Sequence, residues 1–396
     1  MSFNAELGKD PDRQGASSYE QSFKHEKHPF DDALAKQAVS VMKKWAQYGE
    51  GLYDHLTGKA INLEKGVDYQ MLSDGRVDLV GYKAARQKKI DGWLQEPGNR
   101  AWLAAGKKFD QEYSQSITDQ REKVMVRTPQ GTREEKSRYT RPLSREQGWL
   151  YFDSNYFHKS RGEMTQPNRE STRYRVYVQV DGKDVISTYE SLIKELMADP
   201  GMQKVGMQIK TADLDRIGGH ELGQLLNQRE RIVLYLGEEG MKYALPILRR
   251  YAKRHSGLLQ QEGVLFAQPI KDSDGADVPG MRITSETKGE SPDPAEFPKE
   301  YKSFSKMQSQ ILESCLRSII AALKDPGISA QLAATYPRMK EALSKLLPKS
   351  TIQHHVRAIF ADPHGEEFLI KNLKVIYPQW AASFGMSPEN VAFKKT

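Results

Sequence analysis

The sequence predicts an α+β protein: a mostly antiparallel sheet flanked by helices, with a helical N-terminal region and a helical C-terminal region. Three observations predict it. Residues 171–180, 205–210 and 231–236 each alternate apolar and polar side chains with the period of a strand. Turn chemistry closes the first of these at Asp181-Gly182. Sequence with helical periodicity lies before, between and after them, so helices flank a sheet that is not built from parallel repeats.

In chain order, residues 1–28 are polar and are expected to be disordered. Pro29-Phe30-Asp31-Asp32 opens a helix over about 33–47, with Leu34, Val41, Met42, Trp45 and Tyr48 on one stripe. Helical sequence continues to about 125, broken at Pro97-Gly98-Asn99. Residues 120–147 carry Arg121, Lys123, Arg127, Arg133, Lys136, Arg138, Arg141 and Arg145 among Pro129, Gly131 and Pro142, the pattern of a loop or linker.

The character changes at Gly148. Residues 149–157 are strongly aromatic and are expected to form a strand, followed by the basic turn His158-Lys159-Ser160-Arg161-Gly162. The clearest strand comes next. Tyr174, Val176, Val178 and Val180 share one face; Arg173, Arg175, Tyr177 and Gln179 share the other. A helix over 188–198 is stopped by Pro200-Gly201. The strand 205–210 turns Val205, Met207 and Ile209 one way and Gln208 and Lys210 the other. The strand 231–236 separates Ile232, Leu234 and Leu236 from Arg231, Val233 and Tyr235. A helix over 240–256, short strands over 264–270 and 280–285, and a loop over 287–298 follow. Helices are expected over 306–323, 327–347, 350–361 and 366–385, the last broken at Pro378. The domain reading is therefore a disordered segment 1–28, a helical region 29–147 ending in a basic linker, an α+β core 148–325 and a helical region 326–396.

The totals narrow the function classes. A chain of 396 residues can hold two or three domains, or one with a helical extension. Only 38% of residues are apolar and 28% are charged, so some segments are expected to be exposed or poorly ordered. The net charge of +7 favours acidic partners: phosphorylated peptide, anionic lipid, nucleic acid or an acidic chaperone. The single cysteine, Cys315, excludes a disulfide fold and lies in an apolar helical run as a small hydrophobe. No run is long enough to span a membrane, and the N-terminus lacks the apolar segment of a Sec signal. The protein is expected to be made in a cytosol and, if exported, to leave without a cleaved hydrophobic signal.

The order of features in the core carries a resemblance. An aromatic strand and a basic turn precede Arg-Tyr-Arg-Val-Tyr-Val-Gln-Val. Then come a helix, the Lys210 strand, Arg-Glu-Arg-Ile-Val-Leu-Tyr-Leu, another helix, Gly-Val-Leu-Phe-Ala-Gln-Pro-Ile, Gly-Met-Arg-Ile-Thr-Ser-Glu-Thr, and Ser303-Phe304-Ser305 opening a helix. Over 149–323 this order resembles the HopA (HrmA-type) effector family of plant-pathogenic pseudomonads, whose relatives serve as lyase domains in class V lanthipeptide synthesis. The family's Ser-Phe element is commonly followed by Gly and a nearby Arg; here Ser305, Lys306, Met307 and Gln308 stand there. The resemblance implies synthesis in a bacterial cytoplasm and type III secretion into a host cell, with a secretion chaperone on the N-terminal region. It also implies lyase chemistry on phosphoserine or phosphothreonine.

β-Elimination of phosphate needs a base for the Cα proton, cations for the leaving group, and an acid. Lys210 is the candidate base and His158 the candidate acid. Arg173, Arg175 and Arg231 are phosphate forks, and Tyr177 and Tyr235 are donors to phosphate oxygens. The bland alternative is that these cations are solvated or ion-paired on a polar strand face. No metal site is expected: adjacent His354 and His355 would point about 100° apart on a helix. No cofactor motif is present.

Three readings stay open. The first, favoured, is an effector that binds host protein or phosphoprotein through the cationic face. The second is a phosphoamino-acid lyase. The third, not favoured, is a nucleic-acid or lipid binder using Arg133, Lys136, Arg138 and Arg141.

Overall fold

The computed structural model describes residues 27–48, 51–58, 77–97, 123–128, 131–136, 143–146, 149–153, 174–181, 184–205, 207–212, 228–259, 263–285, 303–347, 350–387 and 389–393, with Gln70, Leu72, Arg100 and Ala104 besides. The disorder expected over 1–28 lies outside these, apart from residues 27 and 28.

Helix α1 (Asp32–Tyr48) forms where the stripe predicts it, and Leu34, Val41, Met42, Trp45 and Tyr48 are all buried. Asp31 Oδ1 accepts from the Leu34 amide at 2.9 Å and closes its first turn. Helix α2 (Leu52–Thr57) stops at Gly58, whose φ of 73° is the left-handed C-cap conformation that glycine takes without Cβ strain. Helix α3 (Leu79–Gln95) starts at Asp78, whose Oδ1 accepts from the Val80 and Gly81 amides, each at 3.1 Å.

The segment read as a linker carries three strands. β1 (Lys123–Thr128) and β2 (Gly131–Lys136) form an antiparallel hairpin across Pro129-Gln130. β3 (Leu143–Glu146) pairs with β4 (Trp149–Asp153). High charge hid them: Lys-Val-Met-Val-Arg-Thr is strand-forming, but its neighbours carry too many cations to look like a sheet edge.

β5 (Tyr174–Val178) is followed by α4 (Val185–Met197) and α5 (Pro200–Val205). Pro200 does more than stop α4. Asp199 Oδ1 accepts from the Gly201 and Met202 amides at 2.8 and 3.1 Å, and a proline one residue past that cap suits a new helix. The next strand therefore starts later than 205, as β6 (Gln208–Ala212). Then come β7 (Ile232–Leu236), α6 (Glu238–Arg254), β8 (Gln268–Lys271) and β9 (Asp277–Ser285). Helices α7 (Phe304–Leu323), α8 (Pro326–Thr335), α9 (Pro337–Ser344), α10 (Ile352–Phe360) and α11 (Gly365–Ser383) complete the chain. The single helix expected over 327–347 is two, because Pro337 disfavours helical geometry at Tyr336. The break expected at Pro378 is absent; α11 runs through it, with Tyr377 and Ala381 buried on either side.

The principal sheet has seven strands in the order β3-β4-β6-β7-β5-β9-β8, and every pair in it is antiparallel. Helices flank it, so the fold is α+β. On its first face Val176, Val178, Ile209, Ile232, Leu234 and Ile283 meet Leu192, Ile193 and Leu196 of α4 and Leu245, Leu248 and Tyr251 of α6. Truncating any one of these large aliphatics to alanine would cost about 2–5 kcal/mol.

A second core joins α1, α2, α7, α10 and α11 with Leu265, Phe266 and Val391. Phe266 has a φ of 67°, a conformation that costs a non-glycine residue about 1–2 kcal/mol. Its burial in an aromatic stack compensates: Phe30 lies 6.0 Å and Tyr377 5.6 Å from its ring, and Phe30 and Tyr377 are 3.9 Å apart. The helical body is fastened to the sheet by the Arg229 amide donating to the Thr57 carbonyl at 2.8 Å and by Asn390 Nδ2 donating to Gln268 Oε1 at 2.8 Å. Among the described residues, no helix is long and apolar enough to cross a membrane.

Candidate functional site

Strand order and register build the site. β6, β7 and β5 are adjacent, and in an antiparallel pair residues directly opposite share a face. Arg175 stands opposite Tyr235 and Tyr177 opposite Val233. Lys210 also stands opposite Val233, from the other side, and Tyr151 opposite Lys210. Alternation adds Arg231 and Trp149, and Thr284 lies across from Arg175 on β9. Five sequence-predicted residues thus reach one face: Arg175, Tyr177, Lys210, Arg231 and Tyr235. His158 and Arg173 lie outside the described residues.

That face is not the open surface the alternation suggests. Arg175, Tyr177 and Arg231 are 5%, 2% and 6% exposed. Solvation of Arg175 and Arg231 is thereby corrected, while ion pairing is not: β5 and β7 lie mid-sheet, Val264 and Ala267 pack on Tyr177 and Val233, and α2 and α7 approach through Thr57, Tyr53 and Ser305. Tyr235 and Lys210 are half-buried and form the accessible margin.

Aromatic rings hold the cations. The Lys210 ammonium lies 4.1 Å from the Trp149 ring centroid and 5.5 Å from that of Tyr235. The Arg175 guanidinium lies 5.0 Å from the same Tyr235 ring. The negative face of each ring attracts the cation, worth about 0.5–2 kcal/mol per pair as solvent is excluded. Arg231 turns elsewhere. Its Nε donates to the Gln228 carbonyl at 3.1 Å, and burial lowers its pKa, partly opposed by Asp181. Tyr177 packs with Val233, Val264 and Ala267. Burial raises its phenol pKa, against the pull of Arg175, and its hydroxyl lies beside that of Thr284 without closing a hydrogen bond of ordinary geometry.

Sequence reasoning missed the groups that border Arg175. Glu230 is 4% exposed and accepts a hydrogen bond from the Ser305 hydroxyl. Ser303 caps α7, its hydroxyl accepting from the Lys306 amide at 3.3 Å. Tyr53, from α2, is half-buried; burial raises its pKa, Glu230 adds to the rise, and Ser303 and Arg175 oppose it. The Lys306 ammonium lies 5.6 Å from the Tyr53 ring. Glu230 sits one residue before the strand's alternation begins, so periodicity assigned it no face. Tyr53 is remote in sequence and carried no local signal. Trp149 was legible as part of an aromatic strand but not as Lys210's neighbour.

Among the described residues, no group of three or more His, Cys, Asp or Glu is arranged to hold a metal. His354 and His355 serve the start of α10: their Nδ1 atoms lie 2.8 Å from the Thr351 hydroxyl and carbonyl oxygens respectively. Cys315 is fully buried, and burial raises its thiol pKa far above the usual range.

The fold and site thus define an α+β protein with a cationic, aromatic-lined sheet face. No known family matches the chain, and no curated protein matches it. Among solved structures it is similar to the effector protein from Pseudomonas syringae pv. tomato strain DC3000, with 9% identity and a TM-score of 0.35, covering 92% of this chain and 100% of that one.

Proposed function

We propose that this chain is a bacterial type III effector that acts inside a host cell by binding a host protein, in phosphorylated form, at the accessible part of its cationic sheet face around Lys210. The observation that carries the binding part is the Lys210–Tyr235–Arg175 arrangement: two cations on one aromatic ring, with Trp149 behind the lysine. Half-buried Lys210, between the Trp149 and Tyr235 rings, offers charge and flat apolar area together, which suits a phosphorylated side chain and the peptide around it, while buried Arg175 adds positive charge from within. The effector part rests on the order of motifs over 149–323, which resembles the HopA family. Delivery with a secretion chaperone on the N-terminal region belongs to the same reading.

The arrangement favours binding over phosphate elimination. A lyase base must reach the Cα proton of its substrate, whereas the Lys210 nitrogen lies against two rings, 4.1 Å from the centroid of Trp149 and 5.5 Å from that of Tyr235. A lyase also needs several cations on the leaving phosphate. Arg231 is buried and donates to a backbone carbonyl, so it stands back from the margin.

The test is a titration of a labelled phosphothreonine peptide pool, read by fluorescence anisotropy, with inorganic phosphate as competitor. Saturable binding that phosphate competes away, and that Lys210→Ala weakens about tenfold, supports the proposal; one lost charge-assisted contact is worth about 1.5–3 kcal/mol. Equal affinity for phosphorylated and unphosphorylated pools would overturn it.

A further inference from the structure

Helix α8 (Pro326–Thr335) is uncharged and exposed. Its ten residues, Pro-Gly-Ile-Ser-Ala-Gln-Leu-Ala-Ala-Thr, include no charge. Charged or polar side chains normally line the solvent face of a surface helix. Yet every residue of α8 whose side chain is described is exposed, with Ile328 at 41%. Leu347, just beyond α9, is 75% exposed. The helix is held by α7 at one end and by α9 along its side.

The border of this helix is cationic. Residues 324–347 contain four cations, Lys324, Arg338, Lys340 and Lys345, against two carboxylates, Asp325 and Glu341. Both carboxylates have local duties. Asp325 Oδ1 accepts from the Gly327 and Ile328 amides at 2.9 and 3.1 Å, capping α8. Glu341 pairs with Lys345 at 2.7 Å. Lys324 and Arg338 are exposed at the two ends of the helix.

We propose that α8 and Leu347 form a docking surface for an anionic lipid membrane. An exposed, uncharged helix can lie in the headgroup plane with Ile328 and Leu347 inserted, while the exposed cations flanking it face acidic headgroups. Charge chooses this occupant over a second copy of the chain, since two such faces would bring two sets of excess cations together. The small side chains make the attachment peripheral and salt-sensitive, with no anchor of long aromatic residues. The surface is separate from the sheet face and independent of the reading given to it.

The test is vesicle flotation with the full chain. One set of vesicles is pure phosphatidylcholine; the other contains about a third phosphatidylserine, an anionic lipid of the kind that attracts basic surfaces. The expected result is at least about tenfold more protein on the anionic vesicles, from several cations near the surface. That excess should fall at high salt and be lost in Ile328→Asp/Leu347→Asp, two exposed sites where folding, checked by circular dichroism, is unaffected. The charge variant Arg338→Glu/Lys324→Glu should reduce it as well. Equal binding to both vesicle types would overturn the proposal, as would undiminished binding of the Asp double variant. A wild-type dimer in light scattering that the same Asp variant abolishes, without vesicle binding, would assign the face to a second copy instead.

Discussion

Replacing His55 with phenylalanine should stabilise the protein, increasingly so as pH falls. His55 is 5% exposed on α2, stacked 6.2 Å from the Tyr48 ring, and neither ring nitrogen has a hydrogen-bond partner among the described residues. Burial, with Lys44 adding to it, holds its pKa down to about 4. The folded state therefore keeps the imidazole neutral while the unfolded chain, with a pKa of 6.5, takes up a proton first. Stability is intact above about pH 6.5 and is lost as pH falls toward 4. At pH 4.5 the difference in proton uptake costs the fold about 2–3 kcal/mol; at pH 7 it costs almost nothing. Phenylalanine keeps the stack with Tyr48 and removes both unpartnered nitrogens. Urea melts of wild type and His55→Phe at the two pH values isolate this residue, because other acid-sensitive groups, His28 among them, are common to both chains. The variant's advantage should grow by about 2 kcal/mol between pH 7 and pH 4.5. A constant difference would mean that His55 is not the buried neutral group described here.

The other predictions use the same reasoning about buried polar groups. Gln308 is 1% exposed; its Oε1 accepts from the Tyr377 hydroxyl and its Nε2 donates to the Val391 carbonyl at 3.2 Å. Gln308→Leu should lower stability by about 2–4 kcal/mol in a denaturant melt, since two buried groups lose their partner. Cys315 should give no reaction with a thiol reagent in the native protein and full reaction in denaturant, because it is both fully buried and held as the thiol. Ser305→Ala should leave Glu230 as a buried carboxylate short of a donor, costing about 1–3 kcal/mol of stability, while Ser305→Thr should retain most of it.

The strands of the centre were legible because alternation reports both faces at once. Arg175-Val176-Tyr177-Val178 and Ile232-Val233-Leu234-Tyr235 lie as their pattern requires, and their register brings Arg175, Lys210 and Tyr235 together. What alternation does not report is what lies on the polar side. Arg175 and Arg231 read as surface residues, yet α2 and the start of α7 approach that side through Thr57, Tyr53 and Ser305, contacts made between residues far apart in the chain. The three strands within 123–146 were hidden by charge, which marks a solvated edge as readily as a linker. Prolines reported only part of what they do. Pro200 opened a helix because Asp199 caps it, whereas α11 ran through Pro378.

Phosphopeptide binding at the accessible sheet face around Lys210 is the central claim. Its most direct test is to capture a library of phosphothreonine and phosphoserine peptides on the wild-type protein, elute them, and read each by mass spectrometry. The account predicts enrichment of phosphopeptides that return with phosphate intact, and loss of that enrichment in Lys210→Ala. Peptides that return with phosphate eliminated to a dehydroamino acid would contradict it and establish a lyase; no enrichment over unphosphorylated peptide would contradict it outright.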